Sequence, residues 1–326
     1  MKIAAIKEQA KGEYRTAITP DSAKMFIAKG YEVFVEKNIG LAANFTDADY
    51  ISAGATVSAI PLEILSDADI ILKVQPTPFI DEFNEIDMAK NGATIIGLLS
   101  PYTNFEYIEK SLSKKISTIA MELVPRITKA QNMDALSSQS NLAGYRAVIE
   151  ASYYYDRAFP MMMTAAGTIS PTKTLILGVG VAGLQAIATA KRLGSAVSAY
   201  DVRAATKEQV ESLGAKFVHP NDKENDAEDK SGYAKEVSKD FALTQEKFLS
   251  GIIAGFDIVI TTAQIPGKKA PLIITREMVA KMRPGSVIVD MATGSGGNVQ
   301  DSSIDKIISR RGVKIIGWSN MAAKIA

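Results

Sequence analysis

The sequence predicts an α/β protein of two domains with mainly parallel sheets, joined by a connecting helix and separated by a cleft. Three observations carry that reading. Short apolar runs alternate with helix-like segments along the chain. A glycine-spaced turn, G-x-G-x-x-G, follows one such run at residues 178–183. Between the two halves, residues 138–159 place Leu142, Tyr145, Val148 and Ile149 at helical spacing, with Asp134 or Ser137 able to cap the start.

In the first half the strand candidates are "YEVFVE" (31–36), "ADIILKV" (68–74), "GATIIGLL" (92–99) and "ISTIAMELV" (116–124), with "DSAKMFIAKG" among the helical segments between them. "MKIAAIKEQAKGEYR" reads as a first strand, because Lys7 and Glu8 break the apolar run that a signal peptide needs. In the second half the strand candidates are 174–178, 196–201, 215–218, 256–262, 286–291 and 313–317. Both domains are therefore expected to be Rossmann-like, the first over 1–137 and the second over 138–320. Residues 221–240 carry seven acidic and four basic residues and almost nothing apolar before Tyr233. Such a segment suits either a solvated surface insertion or a lid over a site.

Composition removes several function classes. With 326 residues, 47% hydrophobic and 22% charged, the chain is long enough for two separate cores. Lys and Arg total 37 against 36 Asp and Glu, so no net field favours nucleic acid or an anionic membrane. Zero cysteines exclude disulfides and thiolate chemistry, and a single histidine, His219, cannot form a histidine metal cluster. No stretch approaches 18 uninterrupted apolar residues, so a membrane connection is expected to run through a partner.

The segment "TLILGVGVAGLQAIATAKRLGSAVSAYDV" supplies strand, glycine turn, helix and second strand in the order a dinucleotide site requires. Gly178 permits the tight turn, Gly180 lets a pyrophosphate approach the backbone, and Gly183 lets the helix pack closely on the strand. Asp201, at the end of the second strand, is placed to accept hydrogen bonds from ribose hydroxyls, which favours NAD(H) over NADP(H). Arg203 is either a ribose or adenine neighbour or a solvated surface arginine.

Proton chemistry is harder to find. Arg15 and Lys73 end early strand-like segments, as anchors for a substrate carboxylate or as solvated cations. No general acid accompanies them, and His219 stands beside Pro220 without a catalytic constellation. A nicotinamide site without proton chemistry suits hydride exchange with a second nicotinamide, which needs alignment and exclusion of water and no acid. In "VPRITKAQNMDALSSQSNLAGYRAVIEA" (124–151), Arg126, Gln131, Asp134 and Ser137 are polar groups able to orient one nicotinamide and its ribose, or to serve as helix caps and loop bonds.

Across almost its whole length the sequence resembles the NAD(H)-binding component, domain I, of proton-translocating nicotinamide nucleotide transhydrogenase. The stretches that carry the resemblance are "PRITKAQNMDALSSQSNLAGYRAVIEA", "GVGVAGLQAIATAKRLGSAVSAYDVR", "SGYAKE", "TTAQIPGKKAP" and "MRPGSVIVDMATGSGGN". It implies that Arg126, Gln131, Asp134 and Ser137 position the dihydronicotinamide, and that the segment with Tyr233 is a mobile loop closing over bound nucleotide. It adds cofactor contacts at Thr128, Val181, Val202, Gly232, Gln245 and Gln264. It further implies a homodimer, peripheral on the inner face of the cytoplasmic membrane, docked on partners that supply the membrane domain and the NADP(H) site. Residues 321–326 are expected to open a segment that, in the family, returns to the first domain.

Alanine dehydrogenase is the neighbouring family, and Arg15 and Lys73 match the positions that hold a substrate carboxylate there. The segment where that family carries a catalytic histidine reads "GLLSPYTN" here, without one. A non-catalytic NAD-binding regulatory module is the third reading, separated from the others by hydride transfer to any acceptor.

Overall fold

The computed structural model describes residues 1–78, 84–220, 239–265 and 267–325. The chain forms two compact units, Met1–Leu136 with Ala323–Ala326, and Ser137–Ala322. In the first unit β1 (Lys2–Ala5), α1 (Pro20–Ala28), β2 (Glu32–Glu36), α2 (Asp47–Ser52) and β3 (Thr56–Ser58) are followed by α3 (Pro61–Leu65), β4 (Ile70–Leu72), α4 (Glu85–Met88), β5 (Thr94–Gly97), α5 (Phe105–Ser113) and β6 (Ser117–Ala120). All pairings are parallel, and the strand order is β3-β2-β1-β4-β5-β6, the doubly wound arrangement.

Local chemistry starts and stops these elements. Thr19 accepts from the amide of Ser22 while the Ser22 hydroxyl accepts from the amide of Thr19, with Pro20 in the first turn of α1. Thr46 and Asp49 close the same reciprocal pair at α2. The apolar run at 116–124 ends its strand early, at Ala120. There Met121–Leu123 forms a short 3₁₀ turn that lets the Glu122 carboxylate accept the amides of Leu99 and Ser100 beyond β5. Each sheet face has its own apolar layer: Ile6, Leu65, Ile71, Ile95 and Tyr107 pack on one, Ile18, Val33, Val35 and Tyr50 on the other. The two tyrosine hydroxyls are satisfied in the core, Tyr50 donating to the Ile18 carbonyl at 2.8 Å and Tyr107 to Glu85 Oε1 at 2.8 Å.

The long helix α6 (Ala135–Tyr154) begins directly after Asp134 and ends sooner than the 138–159 pattern suggested. Its last turn is closed by Lys314 Nζ, which donates to the Tyr154 carbonyl at 2.7 Å and pairs with Asp156. The second unit continues with β7 (Met162–Thr164), β8 (Gly167–Ile169), β9 (Lys173–Leu177), α7 (Val181–Arg192), β10 (Ala196–Tyr200), α8 (Lys207–Ser212) and β11 (Lys216–Phe217). After it come α9 (Lys239–Ile252), β12 (Ile258–Thr261), α10 (Arg276–Lys281), β13 (Val287–Asp290), β14 (Ile307–Arg310) and β15 (Val313–Ile316). The seven-stranded sheet has the order β11-β10-β9-β12-β13-β15-β14, parallel except for β14. Its central strands are buried on both faces, as their unbroken β-branched runs require. The short strand β3, the β7–β8 hairpin and antiparallel β14 fall outside the sequence expectation. The hairpin strands and β14 pair through tight turns without a helix crossover, so no alternation of strand and helix announces them.

Candidate nucleotide site

The site grows from the C-terminal end of β9. Here β10 and β11 lie to one side of β9, and the later strands β12 and β13 to the other, so the chain switches direction across the sheet at this strand. Loops diverge at such a point and leave a crevice for a ligand. Gly178 takes φ +99°, and a Cβ there would stand 2.7 Å from Thr262 Oγ1. A Cβ on Gly183 would stand 1.9 Å from the Gly178 carbonyl oxygen, which only glycine avoids. That carbonyl also accepts from Thr262 Oγ1 at 2.9 Å, so the β12 end braces the glycine turn.

Gly180 differs from its two neighbours in the motif. No heavy atom lies within 4 Å of the place its Cβ would occupy. It stands at the N-terminus of α7, where no side chain caps the helix and no acidic residue sits in the first turn. Open space over uncapped amides fits a dinucleotide pyrophosphate. Val181 is the first residue of that helix.

Asp201 ends β10 and is buried. Its Oδ2 accepts from the Val179 amide at 2.6 Å, and its Oδ1 accepts from the Arg203 amide and Nε, both at 2.9 Å. Arg203 Nη2 adds bonds to Asp201 Oδ2 at 2.9 Å and to the Val179 carbonyl at 3.2 Å. Arg203 is therefore an ion partner of Asp201 on the rim of the glycine loop, not a solvated arginine, with its side chain 12% exposed. Val202 between them packs on the neighbouring apolar cluster. On the other side of β9, Gln264 Nε2 donates to the Met291 carbonyl at 2.9 Å. The structure thus brings Gly178, Gly180, Val181, Gly183, Asp201, Val202, Arg203 and Gln264 to the strand ends of one sheet.

Two residues that sequence reasoning left out complete this edge. Asp290, fully buried at the end of β13, accepts the Thr261 hydroxyl and the amides of Ala292, Asn298 and Val299 at 3.0–3.2 Å. Asn298 Nδ2 then donates to the carbonyls of Ala263 and Pro271 at 2.9 and 2.8 Å, tying the β12 and β13 loops together. An Asp closing a β-branched strand ahead of "TGSGGN" was the available signal.

Gln245 lies on α9, between Phe241, whose ring meets His219, and Phe248, whose ring meets Tyr200. His219 itself is stacked at 5.8 Å on Tyr200 and at 6.1 Å on Phe217, a packing environment. Burial, and then the charge of Asp201 beside it, push the Tyr200 phenol well above its ordinary range. Gly232 and Tyr233 lie outside the described residues.

The four polar residues of the 124–151 stretch share one short segment of the chain. Arg126, Thr128 and Gln131 are exposed on and before the 3₁₀ turn Thr128–Met133, and Asp134 and Ser137 are half-buried at the start of α6. In the first unit, Arg15 is held by Glu13, Nε to Oε1 at 2.8 Å and Nη2 to Oε2 at 2.6 Å. Buried Lys73 sits 3.4 Å from Glu8 Oε2, which accepts the Gln75 amide while Oε1 accepts that of Val74. Both cations are ion partners of neighbouring carboxylates. Among the described residues no cluster of three or more His, Asp or Glu side chains is arranged to hold a metal ion.

Residues 4–143 match the family Alanine dehydrogenase/PNT, N-terminal domain, and residues 147–326 match its C-terminal domain. Over its full length the chain is 65% identical to the first portion of the split NAD(P) transhydrogenase subunit alpha of Rickettsia prowazekii, of which it covers 85%. It is 51% identical to the corresponding protein of Rhodospirillum rubrum, again covering 85%. The crystal structure of transhydrogenase from Sinorhizobium meliloti superposes with a TM-score of 0.88 at 45% identity, over 100% of this chain and 89% of that one. With both domain families matched end to end, this chain belongs to the alanine dehydrogenase/transhydrogenase family.

Proposed function

We propose that this chain is the NAD(H)-binding component of a proton-translocating NAD(P) transhydrogenase, passing hydride from NADH to NADP⁺ held on a partner subunit. The observation that carries the reading is the full-length 65% identity to a protein named as a portion of the transhydrogenase alpha subunit. The glycine loop supports it: an open, uncapped α7 N-terminus over Gly180, with Asp201 at the ribose position. When bound, NADH supplies the hydride, and NADH + NADP⁺ gives NAD⁺ + NADPH with no proton to be placed. The chain's own residues then have only to bind, orient and exclude water.

In this reading Gly178, Gly180, Val181 and Gly183 hold the pyrophosphate, and Asp201 with Val202 and Arg203 holds the adenosine ribose. Gly232, Tyr233, Gln245, Gln264 and Thr128 add nucleotide contacts, while Arg126, Gln131, Asp134 and Ser137 orient the nicotinamide. The Asp201–Arg203 pair argues for NAD(H), since a 2′-phosphate would meet the carboxylate.

The partners would be the membrane domain and NADP(H)-binding subunits, with proton movement only in the whole assembly. No described helix is long and apolar enough to cross a membrane, so attachment at the inner face of the cytoplasmic membrane would run through those partners. A second copy of this chain is the further partner. The β7–β8 hairpin is exposed along its length and carries Met161, Met162, Met163 and Ile169, and a lone two-stranded hairpin is marginal in water.

The test mixes this chain with an NADP-binding transhydrogenase component and follows hydride transfer from NADH to an NADP⁺ analogue. Rapid transfer in the mixture and none from either component alone is the expected result. Tight NADH binding without transfer to an active partner would instead favour a regulatory module, and turnover of pyruvate with ammonium would favour an amino-acid dehydrogenase.

A further inference from the structure

A cavity of about 540 Å³ opens between α10 and the β14–β15 hairpin, at the edge of the second sheet. Strand β14 stands four places from β9 in that sheet, about 19 Å at the usual strand spacing, so the cavity is separate from the glycine loop. Its volume falls in the range of small-molecule sites, roughly 300–1,000 Å³. Three guanidinium groups line it, from Arg276, Arg310 and Arg311, above the buried side chain of Val279.

The two carboxylates in the lining are already engaged. Asp301 accepts from Arg276 Nε at 2.9 and 2.8 Å and from Nη2 at 2.5 Å, and from Arg310 Nε at 3.4 Å. One carboxylate therefore fixes two guanidiniums by their Nε edges and leaves further N–H donors of each available. Glu277 is drawn to its own amide and the Thr275 hydroxyl at the start of α10, which hold its carboxyl below the ordinary range.

Arg311 is the residue without a local explanation. Among the described residues its side chain makes no hydrogen bond or ion pair. It occupies φ +49° ahead of Gly312 at φ +79°, in a two-residue hairpin turn between Arg310 and Val313. Such turns favour Asn-Gly or Gly-Gly, because a long side chain gains nothing in the left-handed region. Asp301 is likewise at φ +74°. Two residues held in an unfavourable backbone region thus line one cavity, where strain is commonly retained for binding.

We propose that this cavity is a second ligand site, for a phosphorylated small anion, with Arg311 as its free recognition group and Asp301 as the strut that aims Arg276 and Arg310. Guanidiniums from three positions around the cavity suit the several acceptor oxygens of a phosphoryl group, whereas a planar carboxylate is satisfied by one guanidinium fork.

The test is calorimetric titration of the full chain with inorganic pyrophosphate at low ionic strength, in saturating NADH so that the glycine loop is occupied. Expected is one saturable site per chain, with citrate at least tenfold weaker. Arg311→Asn and Arg276→Gln should each weaken pyrophosphate at least tenfold. Lys281→Gln, which removes an exposed cation of α10 that bonds Ser250 outside the cavity, should leave it unchanged. Asn tolerates left-handed backbone, so Arg311→Asn should keep or raise the melting temperature while binding is lost. Absence of saturable binding, equal affinity of Arg311→Asn and the parent chain, a tighter fit for citrate, or equal weakening by Lys281→Gln would each overturn the proposal.

Discussion

The backbone amide of Val179 donates to Asp201 Oδ2 at 2.6 Å, so the glycine turn after β9 and the acidic end of β10 form one hydrogen-bonded unit. Arg203 closes that unit from outside by gripping the same carboxylate and the Val179 carbonyl. The geometry couples cofactor choice to loop shape.

Replacing Asp201 by Asn should therefore change both. The neutral amide weakens the hold on Arg203 and removes the charge that a 2′-phosphate would meet. NADH affinity should fall about tenfold, or about 1.4 kcal/mol, and the ratio of NADPH to NADH affinity should rise. Fluorescence titration with both dinucleotides checks this. An unchanged ratio would mean that Asp201 does not set the choice.

Gly183→Ala tests the closeness of α7 to β9. Its new Cβ would stand 1.9 Å from the Gly178 oxygen, so the helix must shift and the amides above Gly180 move with it. The expected cost is about 3 kcal/mol of stability, with loss of NADH binding. Gly180→Ala meets open space and should spare stability while still impeding the cofactor. Thermal denaturation beside NADH titration separates the two variants.

The segment before α6 should act on rate. Gln131→Ala and Asp134→Asn are expected to slow hydride transfer in the mixed assembly by tenfold or more, about 1.4 kcal/mol in the barrier, while leaving NADH affinity within about twofold. Stopped-flow transfer and equilibrium titration on the same variants decide it. Equal losses in both would assign these side chains to binding alone.

Glu8 gives a pH-dependent prediction. Burial raises its carboxyl above the ordinary value of 4.5, although Lys73 and the amides of Val74 and Gln75 pull the other way. With the folded value the higher one, the native state keeps a proton that the unfolded chain releases as pH climbs past 4.5. This group's contribution is then fully present below 4.5 and declines through the raised folded value. Urea unfolding across that window should show the decline in the parent chain and its absence in Glu8→Gln. At neutral pH the variant should lose about 3–5 kcal/mol, because Lys73 stays buried without its carboxylate.

Much of this was legible in the chain. The alternation of apolar runs and helical spacing determined an α/β protein of two parallel-sheet domains, because both signals depend only on near neighbours. G-x-G-x-x-G at 178–183 marked the cofactor loop for the same reason, each glycine answering a local backbone need. The hairpin at β14 was not legible: Arg311-Gly312 replaces the usual Asn-Gly signal, and "IISR" is too short to announce an edge strand.

Only the tertiary structure decided how distant residues meet. It turned Arg203 from a free cation into the partner of Asp201, and Arg15 and Lys73 into partners of Glu13 and Glu8. It joined Asp290 and Asn298 across the loops after β12 and β13, and set a backbone approach of α6 on α7 so close that a Cβ on Gly144 would stand 2.1 Å from the Ala182 carbonyl oxygen. Hydrophobic period specifies which face of an element is buried. Which polar groups share that burial depends on strand order, and strand order is a property of the whole fold.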